Sequence, residues 1–162
     1  MSDICRQLDE RLRAWVPFTP GLGEWLDTQQ GVEPCIAESL RSTRERGDWL
    51  GFELYVIAAQ HHPSAAYTET LCAVLDERRE DINNEDIVDA LDEAQDPAAV
   101  PCLRRAVRWV PESDEFGQQP RKVVWALQRI GTPDALDAIR EEVTPDLPEN
   151  VVDAAQRALE SR

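Results

Sequence analysis

Four X-Pro dipeptides punctuate the chain: Glu33-Pro34, His62-Pro63, Asp96-Pro97 and Thr132-Pro133, at spacings of 29, 34 and 36 residues. Each follows an apolar stretch and starts another. Proline is tolerated in the first helical turn, where the N–H it lacks would have no intrahelical acceptor, and is disfavoured in helix interiors. A recurrence of roughly 30 to 40 residues predicts stacked helical hairpins, whose function resides in a surface rather than in a pocket.

Two segments repeat residue by residue. Ile87 to Val107 aligns with Val123 to Val143 at an offset of 36, and the identities include Val88/Val124, Leu91/Leu127, Pro97/Pro133 and Arg104/Arg140. Matched apolar positions fall at 87, 88, 91 and 94, then at 100, 103 and 107, the spacing of one helical face. Asp96 and Thr132 are suited to capping the helices that Pro97 and Pro133 open. Gly131 suits the left-handed turn that ends the helix before it. Pro101, inside the expected helix, predicts a kink. A weaker copy runs in phase with Pro63, and Val151 to Ala155 echoes Val123 to Leu127 without a further X-Pro.

The pattern predicts an all-α fold of about nine helices, over 3–15, 33–46, 48–61, 64–78, 85–95, 98–109, 119–130, 133–143 and 149–160. Residues 17–31, rich in Gly and Pro, read as an irregular connector. The whole chain, 1–162, reads as a single domain, with an N-terminal capping helix and connector in 1–32 and four hairpins in 33–162.

The segment Asp86 to Leu103 and the segment Val124 to Leu136 resemble the HEAT-like repeats first recognised in phycobilisome lyases. The likeness is good over 84–160, fair over 33–83 and not evident over 1–32. It implies a right-handed α-solenoid whose second helices line a concave face. It says little about function, since such repeats serve scaffolds, inhibitors, lyases and a few enzymes. The di-iron hydroxylases of this type carry His-Glu pairs, and no His-Glu dipeptide occurs here.

A net charge of −15, from 32 acidic and 17 basic residues, opposes binding to nucleic acid. No apolar run approaches the ~20 residues of a membrane span, and no basic-then-apolar signal region opens the chain. The expectation is a cytoplasmic protein that engages neither nucleic acid nor membrane. Cys5, Cys35, Cys72 and Cys102 contain no Cys-x-x-Cys and read as buried thiols rather than as disulfides or a zinc site. His61 and His62 fall in a turn, and His62 occupies the place of Asp96 and Thr132. No metal, cofactor or catalytic group is expected.

Two features point outward. Asp76 to Asp96 carries ten acidic residues and two basic ones. The repeat also sets a column on the second helices, Tyr55, Asp89, Trp125 and Asp153, with Asp92 one turn on. The long segment Val110 to Gln118 interrupts the repeat and places Asp114 and Phe116 beside that column. Tyr55, Asp89, Asp92, Asp114, Phe116, Trp125 and Asp153 are therefore the candidate partner-binding residues. The leading reading is a non-enzymatic protein-interaction module with an acidic concave face for a basic protein, concretely an immunity protein against a basic toxin. The alternatives are an enzyme or small-ligand domain with a closed site under the 110–118 loop, and a structural subunit of a larger assembly.

Overall fold

A computed structural model describes residues 2–14 and 21–161. Ten α-helices occur among these residues, with no strand. They are α1 (Asp3–Arg13), α2 (Leu22–Thr28), α3 (Val32–Arg46), α4 (Trp49–His61), α5 (Thr68–Asp76), α6 (Asn84–Ala94), α7 (Val100–Ala106), α8 (Gln118–Ile130), α9 (Pro133–Glu142) and α10 (Glu149–Glu160). Short 3-10 turns, Ala65–Tyr67 and Pro97–Ala99, lead into α5 and α7.

The capping chemistry holds at the two clearest repeats. The Asp96 side chain accepts from the Ala98 N–H at 3.0 Å, and Thr132 Oγ1 accepts from the Ala135 N–H at 3.3 Å. Gly131 ends α8 at φ 66°. The earlier dipeptides sit differently. Helix α3 opens one residue ahead of Glu33, at Val32 behind Gly31, so Pro34 lies within the first turn. His62 closes α4, and Ser64 rather than His62 caps the turn that follows. The kink expected at Pro101 is not what the structure shows: α7 opens at Val100, so Pro101 lies in its first turn. The N–H that Pro101 lacks would have no acceptor within α7, and the 3-10 turn ahead of it recurs at Ala65–Tyr67, where no proline follows.

Two layers result. The second helices pack in series, α4 on α6, α6 on α8, and α8 on α10, while α3, α5, α7 and α9 form the other row. Ile87, Val88 and Leu91 of α6, and Val123, Val124 and Leu127 of α8, are all buried between the rows. Truncating Leu91 or Leu127 to Ala would cost about 2–5 kcal/mol by transfer and cavity terms. Helix α1 buries Leu8 and Leu12 against α3 and α4.

Two expectations are corrected here. The segment 17–31 is not wholly irregular. Gly21, at φ 110°, starts α2, whose Leu22 and Leu26 share one face at i, i+4, are buried, and pack toward α4. Positions 17–20, like Trp15 of the first expected helix, lie outside the described residues.

The cysteines are not thiols. Cys5 bonds Cys35 and Cys72 bonds Cys102, so that α1 is joined to α3 and α5 to α7. Both bridges span 30 residues. For Cys72 and Cys102 a separation close to the repeat length brings matching faces of α5 and α7 together, while Cys5 ties the capping helix α1 to α3. That equality of spacing was the available signal.

Candidate functional site

The expected column does not form one open ridge. Tyr55, at the middle of α4, is only 5% exposed, and α1 packs against that helix. Its hydroxyl donates to Asp9 Oδ1 at 3.0 Å, and burial raises its pKa. Tyr55 is thus a covered residue rather than a partner contact.

Asp89 and Asp92 face cations of the next repeat. Lys122 Nζ lies 2.7 Å from Asp89 Oδ2 and 3.1 Å from Glu85 Oε2. Burial alone would lower the Lys122 pKa, but the hydrogen bonds and charge of Asp89 and Glu85 outweigh it and hold the pKa up. Arg129 lies 2.6 Å from Asp92 and 3.3 Å from Glu93. Burial is the largest influence on Asp92 and raises its pKa against the pull of Arg129. Burial likewise raises Asp86, whose neighbours include Asp89 and Glu53. The acidic face of α6 is therefore largely internal cement to α8. Gln128 and Ser161 join α8 to the end of α10 at 3.0 Å.

Further along the column the side chains open to solvent. Trp125 is 42% exposed, with the Arg121 guanidinium 4.8 Å from its ring centroid. Asp153 is exposed and lies 3.9 Å from Arg157, the range of a weak surface pair. Trp125, Asn150 and Asp153 line a shallow hollow of ≈ 150 Å³ between α8 and α10.

The 110–118 segment is anchored through its second half. Asp114 accepts from the backbone N–H groups of Gln118 and Gln119, each at 2.8 Å, and so closes the first turn of α8. Its carboxylate serves the helix N-terminus, where negative charge is favoured. Asn150 Nδ2 donates to the Phe116 carbonyl at 2.6 Å, tying the loop to α10. Gly117 has φ 63°, and a Cβ there would stand 2.9 Å from Pro148 Cγ, so the close approach of loop and α10 requires glycine. The Phe116 ring remains 69% exposed.

Sequence reasoning did not find the cleft on the other side of this loop. It is open, has a volume of ≈ 590 Å³, and runs between the first turns of α4 and α6 and the loop itself. Among the described residues six carboxylates line it, those of Glu53, Glu80, Asp81, Glu85, Asp114 and Glu115, and no Lys or Arg does. The signal lay in two acidic loops at equivalent places in consecutive hairpins, 80–85 and 112–115. Among the described residues no group of three or more His, Cys, Asp or Glu is arranged to hold a metal ion. No helix among them is long and apolar enough to cross a membrane.

Comparison with known families places one match on this architecture. Residues 120–142, covering most of α8 and all of α9, match the PBS lyase HEAT-like repeat. The chain therefore contains a HEAT-like repeat, a unit that generally serves protein interaction. Neither the curated proteins nor the solved structures yield a match.

Proposed function

We propose that this protein is a non-enzymatic interaction module, a right-handed superhelix of four HEAT-like hairpins, which binds a protein partner through Phe116 and Trp125. The carrying observation is the pair of exposed aromatics linked through one residue. Asn150 holds the Phe116 carbonyl and borders the hollow beside Trp125. Large exposed aromatics commonly anchor protein interfaces, and these two border separate hollows on either side of Asn150's contact with the loop. Asp153 adds an exposed carboxylate to the hollow beside Trp125.

The net charge of −15 favours a basic partner through long-range steering. A toxin-neutralising immunity protein is the most specific form of this reading. A small-ligand site under the loop would need an enclosed pocket, and the open form of the cleft favours a macromolecular partner instead. The two disulfides support residence in an oxidising compartment rather than in the cytoplasm.

The test is native co-purification with the parent, a Phe116→Ser/Trp125→Ser variant and an Asp89/Asp92/Asp153 charge-reversed variant. The aromatic variant is expected to lose the partner. Retention of every partner by that variant removes the patch as the site. The charge-reversed variant is expected to lose stability as well as affinity, since two of its three positions hold α6 to α8.

A further inference from the structure

We infer that Cys5–Cys35 is a redox latch on the N-terminal cap: a dithiol reductant opens it ahead of Cys72–Cys102, and its opening releases α1 from the end of the stack. The latch stands apart from the aromatic patch, which lies on α8, α10 and the loop before α8.

The attachment of α1 is thin. Its buried side chains are Leu8 and Leu12, set against α3 and α4. Its polar ties include the Tyr55 hydroxyl on Asp9 at 3.0 Å and the Arg11 guanidinium 4.6 Å from the Trp25 ring centroid. At 11 residues the helix falls below the ~12–15 at which an isolated helix holds in water. It is helical while docked, and the bridge is what keeps its first turn at α3.

The surroundings of the two bridges differ. Cys5 is the third residue of α1 and Cys35 the fourth of α3. Side chains in a helix lean toward its N-terminus, so both sulfurs meet the positive end of a helix, where a thiolate is favoured. Ser2 adds an independent contact. Its hydroxyl donates to Cys5 Sγ at 2.9 Å and lies 3.6 Å from Cys35 Sγ. A hydrogen bond to an ionised acceptor is the stronger kind, so Ser2 favours the reduced state. Asp3, paired with Arg6, and Glu33 share these turns and temper the effect.

Cys72, by contrast, is the fifth residue of α5, past its first turn. Cys102 follows the 3-10 turn Pro97–Ala99, and the Ala99 carbonyl oxygen stands 3.3 Å from its sulfur. A carbonyl dipole aimed at sulfur opposes a thiolate. Helices α5 and α7 also pack on one another directly, so this second bridge joins elements that stay together without it.

The exchange balances as follows. A thiolate of the reductant attacks Cys5 Sγ, the partly exposed sulfur, and the S–S bond breaks with Cys35 leaving as a thiolate. The second thiolate of the reductant then attacks its own sulfur in the mixed disulfide, closing a cyclic disulfide and expelling Cys5. Two electrons pass from the dithiol to the protein, and the two cysteines take up the two protons the dithiol gives up. A leaving thiol of lower pKa departs faster, which is the advantage of Cys5 and Cys35.

The test is graded dithiothreitol on the native chain, trapped with N-ethylmaleimide and mapped by peptide mass, with hydrogen exchange on the same samples. Cys5 and Cys35 should be labelled about tenfold faster than Cys72 and Cys102. As they open, exchange in α1 should quicken by about tenfold or more, while α5 and α7 keep their protection. Ser2→Gly, which retains a tolerated cap but no hydroxyl, should slow the opening about threefold. Cys5→Ser/Cys35→Ser should show the quick α1 exchange without reductant, and Cys72→Ser/Cys102→Ser should leave α1 protected, which separates release of the cap from general loosening. Equal labelling of the two pairs, earlier labelling of Cys72 and Cys102, or an unslowed Ser2→Gly chain overturns the selectivity. Amides of α1 that stay protected once Cys5 and Cys35 are labelled overturn the release.

Discussion

Lys122 lies 2.7 Å from Asp89 across the seam between α8 and α6, so the single lysine of the chain is spent inside the stack. Arg129 repeats the contact with Asp92 two helical turns on. The acidity of α6 is thus read by its neighbour before any partner arrives.

Lys122→Met should destabilise the chain by about 1–2 kcal/mol, between the values for exposed and for buried ion pairs. The variant leaves Glu85, Asp86 and Asp89 facing one another without their cation. The loss, followed as a urea midpoint, should shrink as salt is added, because screening relieves like-charge repulsion more than it weakens the half-buried pair. An unchanged midpoint at low salt would count against the seam.

Asp92 should make stability depend on pH in a defined direction. Its pKa is raised by burial. An acid whose folded pKa exceeds its unfolded one costs stability wherever both states are ionised, and that cost fades as pH falls through the folded value. Asp92→Asn removes the dependence. The parent should therefore gain on the variant as pH drops from 7 toward about 4. Urea midpoints across that range would show a constant difference if Asp92 did not titrate this way.

The two disulfides each close a span of 30 residues. Chain-entropy reasoning gives about 3–4 kcal/mol for each. Cys72→Ser with Cys102→Ser should lower the melting temperature by roughly 10 °C, and reduction of both bridges by about twice that, with helical circular dichroism in place below the lowered midpoint. Thiol titration of the unfolded, unreduced protein should find none free.

Asp114→Ala should cost about 1 kcal/mol, the usual worth of a capping side chain, or roughly 2–4 °C for a chain of this size. The effect should be local. Hydrogen exchange at the Gln118 and Gln119 amides should quicken, while the α4 amides keep their protection.

Local pattern made the helices legible and long-range pairing hid the site. Residues 119–130 read as a helix from apolar spacing alone, and α8 spans Gln118–Ile130. The same spacing placed Trp125 and Asp153 outward, where they are. It misplaced Tyr55, which is buried and meets Asp9 of α1, 46 residues upstream. It could not show that Asp89 and Asp92 would meet Lys122 and Arg129, since those cations lie in another repeat. Helix α2 was obscured by its flanking Gly and Pro, which outweighed the single Leu22–Leu26 pair. The cysteines were misread because their pairing crosses helices, although both separations equal 30 residues.

The bridges also set how the chain responds to a pulling force. A stack held mainly by neighbour contacts yields unit by unit when its ends are drawn apart. Each disulfide withholds the segment it encloses, roughly 100 Å of contour at the extension of a stretched chain. Under load the oxidised protein should therefore lengthen by about 200 Å less than the reduced one. The shortfall falls in two equal steps, one at the N-terminal cap and one at the α5–α7 junction.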